Sequence, residues 1–345
     1  MKRLILTLSA VAAMVSCSKD DIVSQSSQQA IAFADAFVEN STRAIDNSYT
    51  NSNLTEFEVY GTITNKSNQT ANIFKQEKVQ KGVSEGTGDV WKYNAANTQY
   101  WIAGNTYNFK AVVDGNIENV TEVTTDANGM PTAIILKDAS RQKDILYAEK
   151  LGETYTSGSK TIEFTFAHLM AKAKFTVKNA ITTDSGYSYM VKGVKITDAK
   201  AFATYTIENK SWASAGGSYP LQFGHIVAEG LGALGSPTAT ANAVDIAFGK
   251  SYSSNYERLL IPNVTTGFTV SFTCELYKSG VLIDKQTKTI QADNLTITKG
   301  NAYNFVISLG NPGEPIKFSV LNVKGWETDH DDDDNDNDPT NIPNN

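Results

Sequence analysis

Thr161-Ile162-Glu163-Phe164-Thr165-Phe166-Ala167-His168-Leu169-Met170-Ala171-Lys172-Ala173-Lys174-Phe175-Thr176-Val177 alternates apolar and polar residues over most of its length. Successive side chains of a strand point to opposite faces, so a period of two predicts half-buried β-structure. Ile162, Phe164 and Phe166 keep the even phase, whereas Leu169, Ala171, Ala173, Phe175 and Val177 keep the odd one. The slip at Ala167-His168 requires a bulge or a crossing between domains, and a boundary is expected there.

Shorter runs of the same kind extend outward in both directions. Phe57, Val59 and Ile63 begin the series; Tyr107, Phe109, Ala111 and Val113 continue it; Ile134-Ile135-Leu136 and Ile145-Leu146-Tyr147 follow. Beyond the slip come Val194 with Ile196, Val244 with Ile246 and Phe248, Leu259-Leu260-Ile261, Val281 to Ile290, and Tyr303 to Leu309. Turn residues separate them, as in Asn65-Lys66-Ser67-Asn68 and Asp126-Ala127-Asn128-Gly129. Many short strands with almost no helical period argue for an all-β chain of antiparallel sandwiches. Only Gln222–Leu234 leaves room for a short helix. Two domains are expected, 31–168 and 169–328.

With 345 residues, 41% of them hydrophobic, and 15 Phe, 15 Tyr and 4 Trp, the chain can fill two cores. Net charge is -7, and Asp329 to Asp338 alone holds seven Asp with no basic residue, so the remainder is close to neutral. Without a basic stripe, nucleic-acid binding is disfavoured. The segment 329–345 is too polar to pack and is expected to be disordered. Its aspartates lack the glycine turn and closing Glu of a Ca²⁺ loop, so weak cation binding at most is expected there.

The N-terminus reads as a processing region. Lys2 and Arg3 precede an apolar run from Leu4 to Val15, a secretory leader (1–16) too short to span a bilayer. Cys17 follows and becomes an acylation site once the leader is removed, which would anchor the chain to a membrane without crossing it. A polar tether, 17–30, leads to one apolar strand in which Ile31, Phe33 and Phe37 alternate with alanines and are expected to share a face. Thr42-Arg43-Ala44 ends it, before the polar run Asp46 to Asn53. An arginine there would be an accessible cleavage site, between Arg43 and Ala44. Loss of 31–43 would leave a groove with unpaired backbone groups, a template for a strand from another molecule.

Motifs for chemistry are weak. Gly230-Leu231-Gly232-Ala233-Leu234-Gly235 has the glycine spacing of a dinucleotide loop, but Ser236-Pro237 follows where a helix should start, so no cofactor is expected. His168, His225 and His330 are far apart and belong to no spaced metal motif. His168, between apolar strand residues, reads as an interior histidine. Cys274 is in phase with Phe268, Val270, Phe272 and Leu276 and reads as a buried small apolar residue. No catalytic residue, cofactor or metal site is expected.

Taken in order, several pieces resemble the fimbrillins of type V pili in Bacteroidota, including their Mfa-like members. They are the leader ending at Cys17, Ile31 to Ala44, Trp91-Lys92-Tyr93 with Tyr100-Trp101, and Gly104 to Ala111. Asp144-Ile145-Leu146-Tyr147-Ala148, Phe164 to Lys172, Leu259-Leu260-Ile261-Pro262, Gly300-Asn301-Ala302-Tyr303-Asn304-Phe305 and Ile316 to Trp326 complete the set. The resemblance covers nearly the whole chain.

That resemblance implies two tandem transthyretin-like β-sandwiches and a surface-exposed lipoprotein of the outer membrane. It makes Cys17 the lipid site, likens Lys19-Asp20-Asp21 to a surface-export signal, and has an arginine-specific protease cut at Arg43. It also implies assembly with neighbouring pilus subunits by strand donation, and adhesion to host or bacterial surface ligands. Everything after Trp326 is polar, so a donor strand would have to be Ile316, Phe318, Val320 and on to Trp326. If that strand is needed at home, the subunit accepts a partner strand without giving one. The main rival is an uncut, anchored binder of ligands or glycans that uses Trp91, Tyr100 and Trp101 as stacking platforms.

Overall fold

The protein's structure, a computed structural model, describes residues 29–39, 48–82, 90–228, 242–323 and 340–341. Nine strands come first: β1 Ala32–Val38, β2 Glu56–Thr64, β3 Thr70–Gly82, β4 Val90–Lys92, β5 Thr106–Val113, β6 Thr121–Thr125, β7 Pro131–Leu136, β8 Leu146–Thr154 and β9 Thr161–His168. Next are β10 Ala171–Asn179, β11 Tyr187–Ala199, β12 Phe202–Thr206, β13 Ser211–Gly216, β14 Tyr219–Gly224, β15 Ile226–Val227, β16 Asp245–Ile246 and β17 Ser251–Ser254. The series closes with β18 Arg258–Leu260, β19 Phe268–Lys278, β20 Val281–Ala292, β21 Ala302–Leu309, β22 Lys317–Val323 and β23 Thr340–Asn341. Helical structure among the described residues is limited to two 3₁₀ turns, Ala95–Asn97 and Ala139–Arg141. The fold is all-β. The short helix expected within Gln222–Leu234 is corrected for its described part: Leu221 and Phe223 alternate with Gln222 in β14, and β15 follows.

Seven strands close on themselves in the order β1-β4-β3-β2-β5-β8-β9. Ile162, Phe164 and Phe166 of β9 point inward to meet Phe57, Phe74, Tyr107 and Phe109, while Glu163 and Thr165 face solvent. Rings fill this core so tightly that Gly61 on β2 has no room for a side chain. A Cβ there would stand 2.9 Å from Phe74 and 3.1 Å from Phe109. The expectation of purely antiparallel sandwiches is corrected at two places, because β1 pairs with β9 and β10 with β21 in parallel. In the first unit β1 is the strand that turns an open sheet into a closed one.

The break in phase falls one step beyond Ala167-His168. β9 ends at His168, Leu169 and Met170 are buried, and β10 starts at Ala171 in a different sheet. Leu169 is pinned there: its N–H donates to the Ile145 carbonyl, and its carbonyl accepts from Trp212 Nε1 at 2.6 Å.

The second unit is a pair of sheets, β15-β17-β10-β21-β22-β23 with β18 also on β10, and β14-β11-β19-β20 with β16 on β11. Phe175, Phe223, Phe268, Phe272 and Phe305 fill the space between. A third core, around Ile134, Leu136, Met170, Tyr205 and Trp212, lies between the two units. Over it runs a four-stranded sheet, β13-β12-β7-β6, in which Ala203 to Thr206 pair with Leu136 to Ala133. Gln142 adds a side-chain bridge: its amide donates to the Leu259 carbonyl at 3.2 Å and accepts from the Leu259 N–H at 2.6 Å.

Candidate functional site

The slot filled by β1 is the best-defined candidate. Six residues of β1, from Ala32 to Val38, register in parallel with Thr161 to Phe166 of β9, with a bulge between Ala34 and Ala36. On its other edge, among the described residues, Phe33 of β1 pairs with Trp91 of β4 and Ala30 bridges to Tyr100. The N-terminal end is held on both sides: Ile31 N–H donates to the Gln99 carbonyl at 2.8 Å, Trp101 N–H to the Gln29 carbonyl at 2.9 Å, and the Tyr93 hydroxyl to the Ile31 carbonyl at 2.8 Å. At the other end Val38 N–H donates to Asn51 Oδ1 and Glu39 N–H to the Phe166 carbonyl.

Side chains add to this ladder. Ile31, Phe33, Ala36 and Val38 are buried. Phe33 sits among five rings, stacked on Phe164 at 5.9 Å and edge-on or tilted to Phe57, Phe74, Tyr93 and Phe109. Such ring pairs each add about 0.5–1.5 kcal/mol beyond area burial. The expected shared face of Ile31, Phe33 and Phe37 is corrected at Phe37, which is 46% exposed. The bulge reverses the phase after Ala34, so Ala36 and Val38 turn inward instead.

Just past the slot, Tyr49 N–H donates to Asp144, whose two carboxylate oxygens each lie 3.0 Å from His168 Nδ1. Asp144 and His168 are both buried. The neighbouring Asp114 carboxyl is pushed above its ordinary range, chiefly by burial, although Lys143 and Tyr49 oppose the shift. This cluster fixes the strand ends at the junction of the two units. It also gives a physical reason for two stretches singled out in the sequence, those containing Asp144 and His168. His168 is the interior histidine expected.

Arg43 and Ala44 lie outside the described residues, between the anchored Glu39 and Ser48. Cys17, the tether up to Gln28, Trp326, His330 and the glycine run Gly230 to Gly235 also lie outside them. Of the candidate donor strand, Phe318 is buried and Ile316 and Val320 pack partly against the same core. β22 pairs with β21 over seven positions, so this strand already has a place in its own sheet. On the far side of β22, Thr340 and Asn341 pair with Val320 and Ser319.

The stacking platform expected at Trp91, Tyr100 and Trp101 is corrected. Trp91 and Trp101 are core residues at 5% and 3% exposure, and Tyr100 alone faces solvent. Cys274 is buried, and that burial pushes its thiol up to about 11, away from thiolate reactivity. His225 accepts the Gly193 N–H. Among the described residues no group of His, Cys, Asp and Glu is arranged to hold a metal, and no helix is long and apolar enough to cross a membrane.

A family model described as fimbrillin-like matches residues 42–326. Among solved structures, a fimbrial protein from Bacteroides vulgatus ATCC 8482 is similar with a TM-score of 0.63 and 15% identity, over 86% of this chain and 99% of that one. A protein provisionally described as a cell adhesion protein from Bacteroides ovatus ATCC 8483 aligns over 87% of this chain and 99% of its own, at 14% identity and a TM-score of 0.48. The first of these shows the fold. No curated protein matches the chain significantly in sequence.

Proposed function

This chain belongs to the fimbrillin-like family, and from that membership we propose that it is a structural subunit of a surface pilus with a role in adhesion. In this reading the precursor is lipidated at Cys17, carried to the outer surface, and cut between Arg43 and Ala44 by an arginine-specific protease. The strand 31–43 then leaves, and a neighbouring subunit fills the vacancy. Units 31–168 and 169–328 serve as two transthyretin-like modules; the tail expected to be disordered over 329–345 is corrected at Thr340–Asn341, which pair with β22.

The observation that carries the reading is the seating of β1. It is a strand held by four inward side chains and by pairing with both β9 and β4, so its departure exposes an apolar groove flanked by β4 and β9. The cut expected at Arg43 lies directly after it. An Arg43→Ala variant tests the reading: wild-type surface material should begin at Ala44 and form fibres, and the variant should keep its N-terminal strand and stay unassembled. Fibres built from uncut Arg43→Ala subunits would overturn it.

A narrower form is favoured by β22. Ile316-Lys317-Phe318 repeats the Ile-x-Phe spacing of Ile31-Ala32-Phe33, yet Phe318 is buried in its own core and stacks on Phe305. Donating this strand would dismantle the sheet it came from. The subunit therefore acts first as an acceptor, as a tip or accessory component would.

A further inference from the structure

β1, seated in its slot, is a template of what the slot can hold. Its inward residues are spaced unevenly: Phe33 lies opposite Ile162, Ala36 opposite Phe164 and Val38 opposite Phe166, and the bulge between Ala34 and Ala36 takes up one extra residue. The places they fill differ in size. Phe33 enters a chamber walled by Phe57, Phe74, Tyr93, Phe109 and Phe164, whereas opposite Phe164 the strand contributes only the methyl group of Ala36.

The groups that grip the backbone of β1 lie beyond Arg43 in the chain. The Gln99 carbonyl accepts the Ile31 N–H, the Tyr93 hydroxyl donates to the Ile31 carbonyl, and Asn51 Oδ1 accepts the Val38 N–H at 2.7 Å. They belong to the part that remains when 31–43 leaves, so an incoming strand is offered the same fittings. A residue that must donate its N–H at either end cannot be proline.

The strand β22 of a second copy does not fit this template. Laid in the direction of β1, with Ile316 and Phe318 in the places of Ile31 and Phe33, a regular strand sets Val320 opposite Phe164 and Asn322 opposite Phe166. Bulged as β1 is, it sets Leu321 and Val323 there instead. Either way a branched side chain enters a place that holds one methyl group, and the regular form also buries the Asn322 amide where Val38 stands.

We propose that the slot is selective: it takes an extended strand of a different protein with the pattern aliphatic-x-aromatic-x-x-small-x-aliphatic, where small is Gly, Ala or Ser, and refuses this chain's own β22 at the Ala36 position. Refusing the wrong strand sets specificity as much as fitting the right one. The inference rests on the reading that 31–43 leaves, and adds which strand enters. A fibre built from this chain alone is thereby disfavoured, in keeping with a tip or accessory place.

The test uses full-length chain cut by an arginine-specific protease, with Ala44 established as the new N-terminus by sequencing, and fluorescent peptides whose binding is read by polarisation. The peptide 30–39 should bind, and the same peptide carrying Ala36→Leu, like the peptide 315–324, should bind about tenfold or more weakly. Leu321→Ala in the 315–324 peptide, which supplies the missing small residue, should recover most of that loss. Equal binding of the two unaltered peptides, or no gain from Leu321→Ala, overturns the proposal. A 30–39 peptide that does not bind at all overturns the strand-removal reading and this proposal with it, so the two failures are distinguishable. In the uncut full-length chain Ala36→Leu should lower the melting temperature by about 2 °C or more, and an unchanged value would show that the place of Ala36 is not small. That result, too, overturns the proposal.

Discussion

β1 and β22 carry the same Ile-x-Phe spacing and yet differ in how much ring packing adds to their ladders. β22 owes its place to a ladder: seven antiparallel pairs join it to β21, with Phe318 as its one fully buried ring. β1 adds to its own ladder a larger set of buried side chains. It has a bulged parallel edge on β9, a second edge where Phe33 pairs with Trp91 among the described residues, and Phe33 inside a nest of five rings. A strand held by its ladder is costly to remove residue by residue, because each backbone pair must be replaced. One held by pockets can be replaced by any extended segment that offers similar side chains at similar spacing.

The sharpest way to break this comparison is to truncate the two phenylalanines. Phe33→Ala should destabilise the barrel by about 3–5 kcal/mol, since a ring is removed from a packed nest. Phe318→Ala should cost less, about 2–3 kcal/mol, with one stacked neighbour and the ladder intact. Denaturant unfolding of both variants measures this, and equal losses would remove the distinction. Asn51→Ala, which leaves the Val38 N–H without its acceptor, should cost about 1 kcal/mol and loosen only the C-terminal end of β1. Phe37→Ser should change stability by less than about 0.5 kcal/mol, because Phe37 points to solvent.

Acid sharpens the contrast between the units. Hydrogen bonds from Lys192 and Lys285 hold the Glu275 carboxyl in the second unit down to about 2. Its folded value lies below the unfolded one, so its contribution is present above the ordinary carboxylate range and is lost as pH falls toward 2. Asp114 in the barrel is shifted upward by burial, so the folded state binds its proton more tightly. Its contribution is greatest in acid and declines as pH rises through the raised value. Glu275→Gln should flatten the acid loss in stability and Asp114→Asn should steepen it, both read from unfolding curves between about pH 5 and 2.

Much of the fold was legible because alternation is a local property. Ile162, Phe164 and Phe166 announced their strand and face, and the phase slip beside His168 fell within two residues of the crossing into the second sheet. Phe37 was misread for an equally local reason. Alternating alanines look the same in either phase, so the bulge after Ala34 left no trace in the pattern. The parallel closure by β1 and the sheet joining β7 to β12 depend on pairings between distant segments, and nothing in either segment's composition marks its mate. Trp91 and Trp101 were ambiguous on sequence, since aromatic residues serve cores and binding surfaces alike.

The ladder between β7 and β12 changes what kind of body this is. Hairpins from both halves of the chain are zipped edge to edge over a shared core, so the halves cannot swing about Leu169 and Met170 as beads on a string do. A single backbone nick at that connection would leave the two pieces clasped. Under a pull from its ends, the molecule would resist as one stiff beam until that seam sheared.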